Sequence, residues 1–300
     1  MIVKFYAHRC PNLPITPGAH VMSYRTLLSS IAAVTTAAML IPSAAVAAVP
    51  TSARMVALGD SITRAAVADG TQNAQPQNSW STGTSTAVDS HLRRLEAYGV
   101  DMTGGNYAKG GDRSTHLATQ ATDALANADA DYVTILIGGN DICYASTPAG
   151  TTSPDTFEAN VRRALDIVRA ENPDTRVLLA SVPSMMSLYR VGRDNFLIRA
   201  RWSLIGICPV MLADPTDTSS AANERRAAVE ARVDEYNRRL AKLAAERGNV
   251  FYDNGAVHNT SFTSSDLSIL DGFHPSLSGQ NKIAQATWNE AVRQGVFDVD

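Results

Sequence analysis

A basic excess is missing from this sequence. Lys and Arg number 26 against 29 Asp and Glu, a net charge of −3. Nucleic-acid binding leans on clustered cations, so that partner class is disfavoured. Cysteine is scarce, at three residues, and no His, Cys and Asp cluster has the spacing of a metal site. Aromatic residues make up 6%, which argues modestly against the aromatic platforms of sugar sites. No internal repeat or low-complexity linker divides the chain. What remains is ordinary globular composition: 300 residues, 45% hydrophobic and 18% charged, enough for one large domain or two small ones.

One apolar stretch stands out near the start. Arg25 precedes residues 27–48, a run of small and apolar residues broken by Pro42 and followed by Ala45-Val46-Ala47-Ala48. A positive residue, an apolar run and an Ala-x-Ala site together predict a secretory signal peptide, cleaved after about Ala47 or Ala48. The competing reading is a membrane anchor, because the run approaches ~20 residues. Its Ala, Ser and Thr content and Pro42 favour the signal. Residues 1–21 lack the pattern, so translation is expected to start at Met22, with everything through residue 48 removed. The product is expected to be a secreted monomer with no stable membrane insertion. Cys10 precedes the signal. Cys143 and Cys208 remain, an even pair in an oxidising compartment where disulfides persist. A Cys143–Cys208 bridge is expected; the alternative is two buried thiols.

From residue 51 onward, strand-like and helix-like segments alternate. The strands are expected at 54–58, 100–107, 132–137, 176–182 and 249–252, and the helices at 85–98, 114–128, 154–170, 224–247 and 276–293. This alternation predicts an α/β fold, a parallel sheet covered on both faces, in one domain spanning 51–300. Ligands bind such sheets beyond the carboxyl ends of the strands. Two segments break the alternation: the turn-rich stretch 65–81, and 183–222, which has no clear period. Long irregular segments of this kind are often functional. The second is expected either to border a substrate cleft, tethered through Cys208, or to form a surface excursion with its own apolar cluster.

Four short motifs fall at the predicted rim: Gly59-Asp60-Ser61, Asn106 to Asp112, Gly138-Gly139-Asn140-Asp141, and Asp271-Gly272-Phe273-His274-Pro275. A serine hydroxyl is a poor nucleophile until a base takes its proton, and His274 is the candidate base for Ser61. Asp271, three residues away, can hold the other ring nitrogen and stabilise the imidazolium. Attack on an ester creates an oxyanion that needs preorganised donors. The Ser61 and Gly111 backbone N–H groups and the Asn140 side-chain amide are the candidates. Asp60 is expected to brace the nucleophile turn or to cap a helix, and Asn106 to stabilise its loop. Asp141 is expected to orient Asn140 or to cap the next segment. His91, His116 and His258 read as packing or surface histidines. Each motif alone is weak; their joint order carries the inference.

That order resembles the SGNH, or GDSL, hydrolase family across most of residues 54–294. Ser61, Gly111, Asn140 and the Asp271/His274 pair match the family's four conserved blocks, with Gly-Asp-Ser-Ile in place of Gly-Asp-Ser-Leu. Cys143 just after Gly-Gly-Asn-Asp, and Ile207-Cys208-Pro209, are similar to a secreted actinobacterial subgroup. The resemblance implies a flavodoxin-like three-layer α/β/α sandwich with a five-stranded parallel sheet, ester hydrolysis through an acyl-enzyme, and neither metal nor organic cofactor. The expected substrate is a small-molecule or lipid acyl ester. Polysaccharide acetyl esterase and phospholipase activity are alternatives on the same machinery. A noncatalytic binding module would be expected to show a broken motif, and all five positions are filled.

Overall fold

A computed structural model describes residues 53–297. The expected signal segment, Met22 and Cys10 lie outside the described residues. The chain begins with β1 (Ala53–Gly59), passes through turns to α1 (His91–Ala97), β2 (Met102–Asn106), α2 (Leu117–Leu125) and β3 (Tyr132–Leu136), and continues with α3 (Gly139–Cys143), α4 (Pro154–Glu171) and β4 (Arg176–Leu179). Three helices follow, α5 (Met185–Arg193), α6 (Phe196–Ile205) and α7 (Pro209–Leu212), then the long α8 (Ser220–Ala245), β5 (Val250–Tyr252) and α9 (Leu277–Arg293).

The five strands form one sheet in the order β2-β1-β3-β4-β5, and every pairing is parallel. The central strands are apolar along their length because helices cover both faces. Val56, Leu58, Val133 and Ile135 pack with Leu117 of α2, Val161 and Leu165 of α4 and Val233 of α8. Met55, Tyr132 and Leu178 point the other way, towards Leu92 of α1 and Trp288 of α9. The period-two alternation of strand side chains thus sorts one sequence onto two core layers. The strand order reverses between β1 and β3, and at that switch point the loops leaving the two strands diverge and open a crevice.

Two expectations about elements need correction. The helix expected at 85–98 starts only at His91. The Ser90 hydroxyl accepts from the Arg93 N–H and donates to the Gly83 carbonyl, so the chain is capped there and the preceding residues form turns. The segment 183–222, expected to be irregular, is largely helical. Its helices escape a simple periodicity search because α6 carries apolar residues on both its buried and its exposed sides. The Cys143–Cys208 disulfide is present and joins α3 to the start of α7. Among the described residues no helix is long and apolar enough to cross a membrane.

Candidate active site

The turn that follows β1 is set by Gly59, whose φ is 149°. A Cβ there would lie 2.3 Å from the Leu136 carbonyl oxygen and 2.7 Å from the Thr63 hydroxyl. Only glycine lets β1 run beside β3 to its last residue and then turn. Gln120 of α2 grips this glycine twice, accepting from its N–H and donating to its carbonyl, both at 2.8 Å. The same amide nitrogen donates to Asp112 at 2.6 Å. Asp60 is buried, and its Oδ1 accepts the Ile62 N–H at 2.9 Å, the closure of an Asx-type turn. Burial pushes this carboxyl up to about 7, against the Ile62 hydrogen bond and the charge of His274. Residues 61–69 run through turns rather than a regular helix.

Ser61 Oγ lies 2.8 Å from His274 Nε2, and His274 Nδ1 lies 2.5 Å from Asp271 Oδ2. The second Asp271 oxygen accepts the backbone N–H groups of Phe273 and His274 at 2.8 and 3.0 Å. Burial alone would raise the Asp271 carboxyl; the hydrogen bond and charge of His274 and these two backbone donors together hold it below its ordinary value. The turn is also fixed from outside. The Ser268 N–H donates to the His274 carbonyl at 2.7 Å, and the Ser268 hydroxyl donates to the Val67 carbonyl at 2.7 Å, tying it to the turns that follow Ser61. Trp202 Nε1 of α6 donates to the Gly272 carbonyl at 3.0 Å. Gly272 has a φ of 64°, and a Cβ on it would meet Ile198 at 2.8 Å.

The second and third motifs close on each other. The Tyr107 and Lys109 N–H groups donate to the Ala57 and Gly59 carbonyls, extending the β2 register past the strand end. The Asn106 amide donates to the Thr63 carbonyl at 2.9 Å and its oxygen accepts the Ala108 N–H at 3.2 Å. Gly111 has a φ of 82°, and a Cβ would come within 2.7 Å of the Tyr144 hydroxyl. Asn140, in α3, donates one amide hydrogen to the Asp112 carbonyl at 3.0 Å, which leaves its second N–H for another acceptor. Among the described residues the Ser61 and Gly111 backbone N–H groups have no hydrogen-bond acceptor. The Asp141 carboxylate makes no hydrogen bond to the Asn140 side chain. It accepts the Ser114 N–H and hydroxyl at 2.8 and 2.6 Å, pinning the loop after Gly111 to α3.

Next to this chain of hydrogen bonds lies an apolar groove. Ile62 beside the serine and Phe273 beside the histidine form one wall; Pro183, Met185, Leu188 and Val191 form another. The segment 183–222 therefore does border the cleft, and Cys208 ties it to α3.

The remaining histidines divide. His91 is buried between Tyr132 and Thr287, its ring nitrogens 3.0 and 2.8 Å from their hydroxyls, and burial pushes it down to about 3. It is a neutral packing residue. His116 lies 3.6 Å from Asp112 at the surface. His258 is brought by the fold to within 3.4 Å of Asp234 and 3.9 Å of Glu230, both more than twenty residues away in sequence. These three side chains are close enough to share a cation. Glu230 is already engaged by the Ser184 hydroxyl and the Met186 N–H.

The sequence left Gln120 and Trp202 unassigned. Gln120 carried a readable signal: it shares one helical face with Leu117, Ala121 and Ala124, and a polar residue on an apolar face needs a buried partner. Trp202 carried none, since its partner is a backbone carbonyl 70 residues away.

A five-stranded parallel sheet covered by helices on both faces, with Ser61, His274 and Asp271 hydrogen-bonded in a row beyond it, defines an α/β/α fold. The profile of the GDSL-like lipase/acylhydrolase family matches residues 57–282. The chain belongs to that family. Human membrane-associated phospholipase B1 is 26% identical over 214 residues, covering 62% of this chain and 14% of that protein. The chain thus spans only about one-seventh of that relative. Among solved structures, an extracellular lipase from Streptomyces rimosus is 21% identical and covers 80% of this chain and all of its own, with a TM-score of 0.50. A variant of an acetyl xylan esterase from Geobacillus stearothermophilus is 19% identical and covers 79% of this chain and 94% of its own, also at 0.50. Both share the fold.

Proposed function

We propose that residues 51–300 form a single secreted hydrolase domain that cleaves carboxylic esters through an acyl-enzyme on Ser61. The observation that carries this reading is the relay Asp271–His274–Ser61, with contacts of 2.5 and 2.8 Å. His274 Nε2 takes the Ser61 proton as Oγ attacks the ester carbonyl carbon, and returns it to the departing alkoxide. Water then repeats the sequence on the acyl-enzyme and frees the acid and the serine. The Ser61 and Gly111 N–H groups and the second Asn140 amide hydrogen stabilise the oxyanion, each donor being worth about 3–4 kcal/mol. Asp60, Asn106 and Asp141 hold the loops that carry these groups. Secretion is supported by the signal pattern and by the Cys143–Cys208 bridge.

The groove favours an acyl chain over an acetyl group, because a methyl would leave most of its apolar wall in water. An esterase or lipase is therefore the leading reading, ahead of polysaccharide acetyl esterase; a phospholipase would use the same groove. Ser61→Ala should lower turnover of p-nitrophenyl esters by about 10⁴-fold or more while the protein stays folded. Retained turnover rejects the relay. A series from acetyl to decanoyl esters, run beside acetylated xylan, should rise with chain length; preference for the xylan rejects the acyl-chain reading.

A further inference from the structure

Helix α6 is apolar on the side where a soluble helix should be polar. Phe196 is 71% exposed, Leu197 59%, Leu204 87% and Ile205 53%. Its opposite side is buried through Ile198 and Trp202. A helix that is apolar on both sides is normally covered on both, and a contiguous exposed patch of large apolar residues marks a contact surface.

The charge around the patch says what kind of contact. Residues 185–212 contain four arginines, Arg190, Arg193, Arg199 and Arg201, and one carboxylate, Asp194. The whole chain carries −3, so this segment has the sign opposite to the rest. Of these four arginines only Arg193 forms an ion pair among the described residues, with Asp194 at 3.4 Å. Cations flanking exposed Phe and Leu on one helix are the features of a segment that lies in a membrane interface.

The place of the helix in the fold adds a third observation. Its buried side holds the Asp271–His274 turn through Trp202 and Ile198, and its neighbour α5 lines the apolar groove with Leu188 and Val191. We infer that α6 docks the enzyme on an anionic lipid surface, with its exposed side chains at the level of the acyl chains and its arginines at the headgroups. The groove entrance is then held beside the lipid. This deepens the ester-hydrolase reading by assigning it an aggregated lipid substrate, and rests on that reading for the substrate but not for the docking.

The test is co-sedimentation with phosphatidylglycerol and phosphatidylcholine vesicles. Ser61→Ala protein is used so that no lipid is consumed. Partition onto phosphatidylglycerol should exceed that onto phosphatidylcholine by about 10-fold and weaken with salt. The triple change Phe196→Ser, Leu197→Ser and Leu204→Ser should lower partition by about 10-fold or more. In the Ser61 background it should leave p-nitrophenyl butyrate kcat/KM within about two-fold. Arg190→Gln with Arg201→Gln should lower partition onto phosphatidylglycerol alone. Any of four results overturns the inference: no vesicle binding, equal binding to both lipids, binding unchanged in both variants, or a concentration-dependent dimer that the triple variant abolishes. Loss of esterase activity in Ser61→Ala with vesicle binding retained separates the docking surface from the catalytic reading.

Discussion

The turn carrying Asp271 and His274 and the helical segment α5–α7 face each other across the groove, and they are built in opposite ways. The turn is held by polar atoms: Asp271 accepts three hydrogen bonds, and the Gly272 and His274 carbonyls each accept one. The helical segment is held mainly by apolar packing of Met185, Tyr189, Ile198 and Trp202 and by one disulfide, with a few hydrogen bonds from Ser184, Met186 and Tyr189. Directional bonds fix positions to fractions of an ångström, as proton transfer demands. Dispersion and apolar burial are nondirectional and tolerate side chains of various shapes, as a wall for acyl chains can. The two regions meet at one polar contact, Trp202 to Gly272.

Breaking the turn should have the largest effect. Asp271→Asn should lower kcat by about 10⁴-fold with the fold intact, because the amide cannot hold the same imidazole tautomer or stabilise the imidazolium; ester kinetics beside a thermal melt check this. Breaking the disulfide acts on the other region. The bridge spans 65 residues, and Cys143→Ser with Cys208→Ser should cost about 4 kcal/mol of unfolding free energy, read by denaturant titration. Most activity should survive at low temperature, since no relay atom moves.

Trp202→Phe sharpens the comparison at the point of contact. It keeps most of the packing but leaves the buried Gly272 carbonyl without its donor, at a cost of about 1–3 kcal/mol. If the turn depends on α6, kcat should fall by about 10-fold while KM changes little. An unchanged kcat would make the turn self-supporting.

A pH-dependent effect lies beneath Ser61. Asp60 has its ordinary value of 3.8 when unfolded and is pushed up to about 7 in the fold by burial. The folded state therefore keeps a proton that the unfolded state has lost. The stabilisation is complete below 3.8 and disappears as the pH rises through about 7, with a slope of about 1 kcal/mol per pH unit between them. Asp60→Asn should remove that slope in melts taken from pH 4 to 8.

Much of the frame was legible. Four of the five strands are short runs made mostly of apolar residues, while edge strand β2 carries Gly104 and Gly105, and the order of strands between helices implies the parallel sheet. The Asp271/His274 turn was legible because its partners are three residues apart. The role of Trp202 was not, nor was the pairing of His258 with Asp234 and Glu230, because each joins residues far apart in sequence. The helices of 183–222 were missed because apolar residues on both sides of α6 erase the period that marks an amphipathic helix.

By itself, the sequence determined the alternation of strands and helices, the glycine turns and the local Asp-His geometry, all of which depend on residues within a few positions of one another. Only the tertiary structure decided that Ser61 and His274 lie 2.8 Å apart across 213 residues, that α6 braces the turn, and that an apolar groove opens beside them. The physical reason is that local propensity acts over a turn or two of chain. Sheet order and core packing, which bring distant segments together, are properties of the folded whole.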